Sequence, residues 1–231
     1  MKAMIKSSAI RNRRSMADPG AAPSGTVTSI DPDSRGAGAV KVNVNGRWFC
    51  TIPQASVAVL DLHPGLPMNE SLHEGLGRAA DAQAAYRFIL AALGRRGFAR
   101  RDMERRLVQK GHPREAAQAA VARATAAGLL DDLAFARSYA ELKSANGRGP
   151  ARLMRDLFTM GIDRGIAEEV VGQTWNEGDT LLDTSRALAK RRAAQLGALP
   201  GPVKRRRVLA YLARRGFSGH EVRKIVNTVV V

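Results

Sequence analysis

The sequence predicts a mostly α-helical protein: three tandem three-helix repeats forming an elongated, curved body, preceded by a small β-hairpin region. Two observations carry that prediction. The first is a motif met three times, an apolar residue followed four positions later by Leu and four after that by Gly: Met103, Leu107, Gly111; Leu153, Leu157, Gly161; Val208, Leu212, Gly216. Spacing of this kind stacks the two apolar residues on one helical face, and the glycine ends the helix. The second is Asn45-Gly46 between two alternating runs, Val40, Val42, Val44 and Trp48, Cys50, Ile52. A type I′ hairpin turn needs positive φ at both central residues, which Asn-Gly supplies.

Taken in chain order, residues 1–24 are mixed and basic, with Arg11, Arg13 and Arg14, and read as a disordered tail. They lack an apolar segment of signal-peptide length. Residues 25–77 hold the hairpin, with residues 26–30 as a candidate third strand and a linker from residue 64 to 77. Trp48 and Phe49 fall on opposite faces of the hairpin, so one is expected in the core and the other at a contact surface.

The repeats follow as residues 78–128, 129–177 and 178–231, the last being the most basic. Each opens with a longer helix, marked by Tyr86, Ile89, Leu90 and Leu93, by Phe135, Tyr139 and Leu142, and by Leu181 and Leu188. The motif helix comes next. An amphipathic run closes each copy: Ala117, Ala120, Val121; Ile166, Val170, Val171; Val222, Ile225, Val226. The motif glycines lie 50 residues apart (Gly111 to Gly161) and then 55 (Gly161 to Gly216). A bundle of about 50 residues is marginal alone, so the copies are expected to lean on one another end to end.

The chain carries 37 Lys plus Arg against 21 Asp plus Glu, a net charge of +16. Such an excess points to a polyanionic partner. With a single cysteine, Cys50, no internal disulfide forms, and a reducing cytoplasm is the expected setting. No run reaches the roughly 18–20 apolar residues that span a bilayer, so no membrane partner is expected. Nothing in the sequence marks a self-association seam, and a monomer is expected.

The stretch Gly128-Leu129-Leu130-Asp131-Asp132-Leu133-Ala134-Phe135-Ala136-Arg137-Ser138-Tyr139 resembles the signature of the RecX family, in which an acidic pair opens a helix carrying Phe-Ala and a later aromatic. Read physically, Asp131 or Asp132 caps the helix and favours its positive end, while Phe135 and Tyr139 pack into the bundle. Gly147-Arg148-Gly149-Pro150-Ala151-Arg152-Leu153 resembles the entry to the family's second repeat. Arg100-Arg101-Asp102-Met103-Glu104-Arg105-Arg106-Leu107 is similar to its basic second helix, and Leu212-Ala213-Arg214-Arg215-Gly216-Phe217-Ser218 to its third repeat. The resemblance covers about residues 86–226. The loop Gly197-Ala198-Leu199-Pro200-Gly201-Pro202 departs from it as an insertion, and the N-terminal tail is longer than the family core requires. The resemblance implies a non-enzymatic regulator of the RecA recombinase in recombinational DNA repair and the SOS response. It would lie in the helical groove of the RecA filament on single-stranded DNA and restrain ATP hydrolysis and strand exchange, with bare DNA as a further candidate partner.

No catalytic constellation competes with that expectation. His63, His73, His112 and His220 have no cysteine or carboxylate at metal-ligand spacing, and there is neither a phosphate loop nor a nucleophile elbow. Asp131-Asp132 reads as a helix cap rather than a metal pair. No catalytic residue, metal or cofactor is therefore expected.

The candidate contact residues are basic. Between residues 184 and 231 there are 12 Lys or Arg and one acid, Glu221, a balance of +11. The clusters are Lys190, Arg191 and Arg192; Lys204, Arg205, Arg206 and Arg207; and Arg214 with Arg215. Arginine predominates, which suits forked contacts to phosphate or carboxylate. The earlier copies add Arg101, Arg105 and Lys110, then Arg148, Arg152 and Arg155. Scattered residues such as Arg123 and Arg164 read as solvated surface. The alternative function, a direct DNA-binding regulator built from helix-turn-helix-like units, would need base-reading side chains at the start of each third helix. Those helices instead begin Pro113-Arg114-Glu115-Ala116, Asp163-Arg164-Gly165-Ile166 and Ser218-Gly219-His220-Glu221.

Overall fold

A computed structural model of the chain describes residues 24–34, 38–175 and 178–230. The tail expected at residues 1–24 lies outside them except for Ser24. Among the described residues there are three strands, β1 (Val27–Pro32), β2 (Ala39–Val44) and β3 (Arg47–Pro53), and ten helices. The helices are α1 (Ala55–Val59), α2 (Glu70–Leu93), α3 (Arg100–Gln109), α4 (Arg114–Ala126), α5 (Asp132–Ala145), α6 (Pro150–Met160), α7 (Arg164–Thr174), α8 (Gly178–Gln195), α9 (Gly201–Arg215) and α10 (His220–Val229). The chain divides into two compact units, Met1–Leu130 and Asp131–Val231.

In the first unit the strands form one antiparallel sheet in the order β1-β2-β3. Asn45 and Gly46 take φ of 50° and 74° at the β2–β3 turn, as the sequence requires. The alternation read from Trp48 through Ile52 is broken. Val42 pairs with Cys50 but Asn43 with Trp48, so Phe49 is the extra residue of a β-bulge. The bulge takes Trp48 off the core face, where it is 44% exposed, while Phe49 packs with the core edge-on to His73.

The segment read as a linker to residue 77 also differs. Helix α2 begins at Glu70, capped by Asn69, whose Oδ1 accepts from the Leu72 N–H at 2.8 Å. At 24 residues it is about 36 Å long and serves two cores. Its first half, with Leu72, Leu76 and Ala80, covers Val27, Val42, Cys50 and Ile52 of the sheet. The second half, with Ala85, Tyr86 and Ile89, packs with Met103, Leu107, Ala117 and Val121 of α3 and α4. Gly75 makes room for the Leu60 side chain, whose Cδ2 would stand 2.7 Å from a Cβ there.

The second unit contains α5 to α10. Asp131 is the cap of α5: its Oδ1 accepts from the N–H groups of Leu133 at 2.8 Å and Ala134 at 3.0 Å. All six apolar residues of the threefold motif, across both units, are fully buried. Gly161 and Gly216 are left-handed C-caps with φ of 86° and 91°. In the first copy Lys110 occupies the cap, and Gly111, one later, takes φ 90°. After each motif glycine the next residue, His112, Ile162 or Phe217, is buried and donates its N–H to the motif Leu carbonyl at 3.0–3.1 Å. The same backbone bond and the same positive-φ glycine thus recur at the end of all three helices.

Candidate polyanion-binding surface

Helix α9 carries the longest row of cations. Arg206, Arg207 and Arg214 are exposed, as are Ala210 and Ala213 between them. At 3.6 residues per turn these positions fall on one side, opposite the buried Val208 and Leu212. The alanines leave the guanidinium groups accessible along the ridge. None of the three arginines pairs with an acid among the described residues. Arg205 is also exposed, but its Nε donates to the Val230 carbonyl at 3.3 Å, tying α9 to the end of α10. Lys204 is half-buried.

On α8, Lys190 and Arg191 are exposed and make no ion pair among the described residues. Arg192 is half-buried. Its guanidinium lies 5.6 Å from the Tyr211 ring centroid and Nη1 donates to Gln195 at 3.1 Å, while Nε is buried with no acceptor among the described residues. Arg215 lies 5.1 Å from the same ring and donates through Nη1 to the carbonyls of Asn146 at 2.9 Å and Gly147 at 3.1 Å. Tyr211 thus holds two of the nominated arginines by cation–π contact. Its position four residues before Arg215 was the available sequence signal.

The arginines of the second copy are drawn inward. Arg148 Nη1 donates to Asp156 Oδ2, Arg152 Nε pairs with Asp156 Oδ1 at 3.0 Å, and Tyr139 OH donates to Oδ2 at 3.1 Å. Burial and the Asp156 carboxylate together raise the Tyr139 pKa. One carboxylate therefore engages two of the three predicted contact residues, and only Arg155 stands exposed and unpaired among the described residues.

In the first unit Arg101 and Lys110 are exposed, and Arg105 shares Asp102 with Arg106 at 3.4 and 2.8 Å. Arg123, read as solvated surface, instead lies 3.9 Å from the Tyr86 ring centroid and donates to Gln83 at 2.8 Å and to the Gly38 carbonyl at 3.2 Å. It fastens α4 to α2 and to the sheet region. Arg164 is surface, paired with Glu168 at 2.7 Å.

Among the described residues no group of three or more His, Cys, Asp or Glu is placed to hold a metal. No helix of the described residues is long and apolar enough to cross a membrane. Cys50 is buried, and burial pushes its thiol up to about 12.

Known proteins similar to this chain share one family description. The family description "RecX, second three-helix domain" matches residues 131–171, and "RecX, third three-helix domain" matches residues 179–226. The regulatory protein RecX of Stenotrophomonas maltophilia (strain K279a) is 34% identical over 155 residues, which is 67% of this chain and 93% of that protein. That of Xanthomonas oryzae pv. oryzae (strain MAFF 311018) is 33% identical over 147 residues, 64% of this chain and 89% of that one. A crystal structure of regulatory protein RecX has the same fold, with TM-score 0.72 at 18% identity over 88% of this chain and 99% of that chain. The RecX structure from Lactobacillus salivarius matches with TM-score 0.55 at 20% identity over 64% and 96%.

Proposed function

The chain belongs to the RecX family of non-enzymatic regulatory proteins, and on that premise we propose that it regulates RecA by binding the RecA filament on single-stranded DNA, in its helical groove. Occupying the groove would restrain ATP hydrolysis and strand exchange. The observation that carries this reading is the row of Arg206, Arg207 and Arg214 on α9, exposed and unneutralised by any acid of the described residues. A ridge of fixed positive charge on a buried apolar base is built to meet an anionic surface, here filament side chains and DNA phosphates. Lys190, Arg191 and Arg155 extend the cationic surface of the same unit, and Arg101 and Lys110 supply cations on the other. Several weak contacts on one chain would add through multivalency.

The direct DNA-binding alternative has less support. Helices α4, α7 and α10 carry Glu115, Glu168, Glu169 and Glu221, all exposed in their opening turns or just after. Carboxylates there repel phosphates and leave base reading to few side chains.

Charge reversal of the ridge (R206E, R207E and R214E together) tests the reading. We expect at least about a tenfold loss of potency in inhibiting RecA, since each charge-assisted contact contributes on the order of 1.5–3 kcal/mol when fully made. Far-UV circular dichroism should be unchanged because none of the three is buried. Undiminished inhibition by a folded triple variant would remove the ridge from the contact surface.

A further inference from the structure

Three copies of one motif helix in a single chain allow their outward faces to be compared position by position. The residue three before each motif glycine is Val108 on α3, Phe158 on α6 and Ala213 on α9. Their backbones are equivalent: the N–H of Gly111, Gly161 and Gly216 donates to the carbonyl of that residue at 2.9, 2.9 and 3.0 Å. All three side chains face outward, Val108 being 43% and Phe158 45% exposed. One turn earlier on the same side stand Arg105, Arg155 and Ala210, again exposed. The first two copies thus repeat a large apolar residue beside an arginine, and the third has alanine at both places. Those alanines are an internal control. Helix α9 forms with the same ending, so the fold does not require a large apolar side chain here. A single exposed apolar residue is ordinary on a protein surface. Its recurrence at one backbone position, beside the same charge, marks a contact.

Charge says what kind of surface this contact fits. Arg155 makes no ion pair among the described residues, and Arg101, two turns before Val108, adds an exposed cation on α3. An apolar side chain in cationic surroundings complements an apolar pocket with an acidic rim. Val108 has no ring on which a base could stack, which separates the contact from a platform for single-stranded nucleic acid. We propose that Val108 and Phe158 are equivalent anchors, each seating in an apolar, acid-rimmed pocket that recurs on the identical subunits of a protein polymer. Two such contacts on one chain reinforce each other through multivalency. The third copy, with alanines at these places, contributes charge alone. The proposal rests on the reading of that polymer as the RecA filament, and deepens it by adding apolar anchors to the electrostatic attraction.

The test measures binding of the full chain to RecA filaments preassembled on oligothymidylate with a slowly hydrolysed ATP analogue. Bare oligothymidylate is the second probe, and both are titrated across a salt series. F158A should weaken filament binding about tenfold and V108A about threefold, as expected for emptying a filled pocket. The double variant should lose about thirtyfold, the product expected of separate sites. F158L, still apolar, should stay within about threefold of the original chain. None of these variants removes a charge, so each should keep the original salt slope and the original affinity for bare oligothymidylate. Helicity should be unchanged, since both positions are exposed and the third copy carries alanine there. If the original chain binds the filament and folded F158A and V108A bind it equally well, the proposal is overturned and the filament reading stands. Weakening by only one of the two substitutions would overturn the equivalence of the anchors. Equal losses toward filament and bare oligothymidylate would also overturn the proposal and mark a nucleic-acid contact. An original chain that fails to bind the filament would overturn both readings.

Discussion

His112 occupies the position that Ile162 and Phe217 fill in the other two copies, buried just past the motif glycine. Its backbone N–H makes the same bond to the motif Leu as theirs, but both ring nitrogens are buried with no hydrogen-bond partner among the described residues. Phe88 packs edge-on against the ring at 5.9 Å. Burial lowers the His112 pKa from its ordinary 6.5, and Asp81 opposes this only in part. The unfolded chain therefore binds the proton more readily than the folded one. The stability that depends on neutral His112 is complete above pH 6.5 and is lost as pH falls below that value toward the folded pKa. Urea unfolding of W175F, followed through Trp48 in the first unit, should show a midpoint that drops in this window. H112F should flatten the drop, and an identical pH profile in both proteins would show that His112 does not titrate on unfolding.

At the scale of elements, the motif helices are where the sequence was most readable. The two apolar residues of each copy are completely buried, and each glycine adopts positive φ. Periodicity reports such features because they depend on the helix alone. Pairing across elements was less visible. The Phe49 bulge escapes an alternation rule that assumes unbroken register, and the linker reading failed because a single Asn69 cap starts α2 ahead of its strongly periodic part. Arg123, Arg148 and Arg152 find partners such as Gln83 and Asp156, whose approach is set by the fold. Close packing of two glycines was likewise only hinted at by Gly147-Arg148-Gly149. The Gly149 N–H donates to the Arg215 carbonyl at 2.7 Å, and a Cβ on Gly149 would stand 2.7 Å from the Gly216 backbone. G149A should therefore destabilise the second unit by about 1–3 kcal/mol, the usual cost of overpacking. Urea denaturation of W48F and W48F/G149A, followed through Trp175, reads this. Equal midpoints would mean that α6 and the end of α9 can separate without loss.

For the whole molecule the decisive quantity is the placement of charge. Of the net +16, +11 arises between residues 184 and 231. There the Arg206, Arg207 and Arg214 ridge, with Lys190 and Arg191, is left without acidic partners among the described residues. In the preceding copy Asp156 takes up two arginines. Sequence composition showed where charge accumulates, and the fold separates the arginines that hold the structure from those that face outward. On the proposed function the outward set supplies the attraction to the filament, which salt should weaken. RecA-catalysed ATP hydrolysis on single-stranded DNA, titrated with the full chain at physiological salt, tests the account most directly. Inhibition well below one molecule per RecA protomer is the predicted result; unchanged hydrolysis together with tight binding to bare DNA would contradict it.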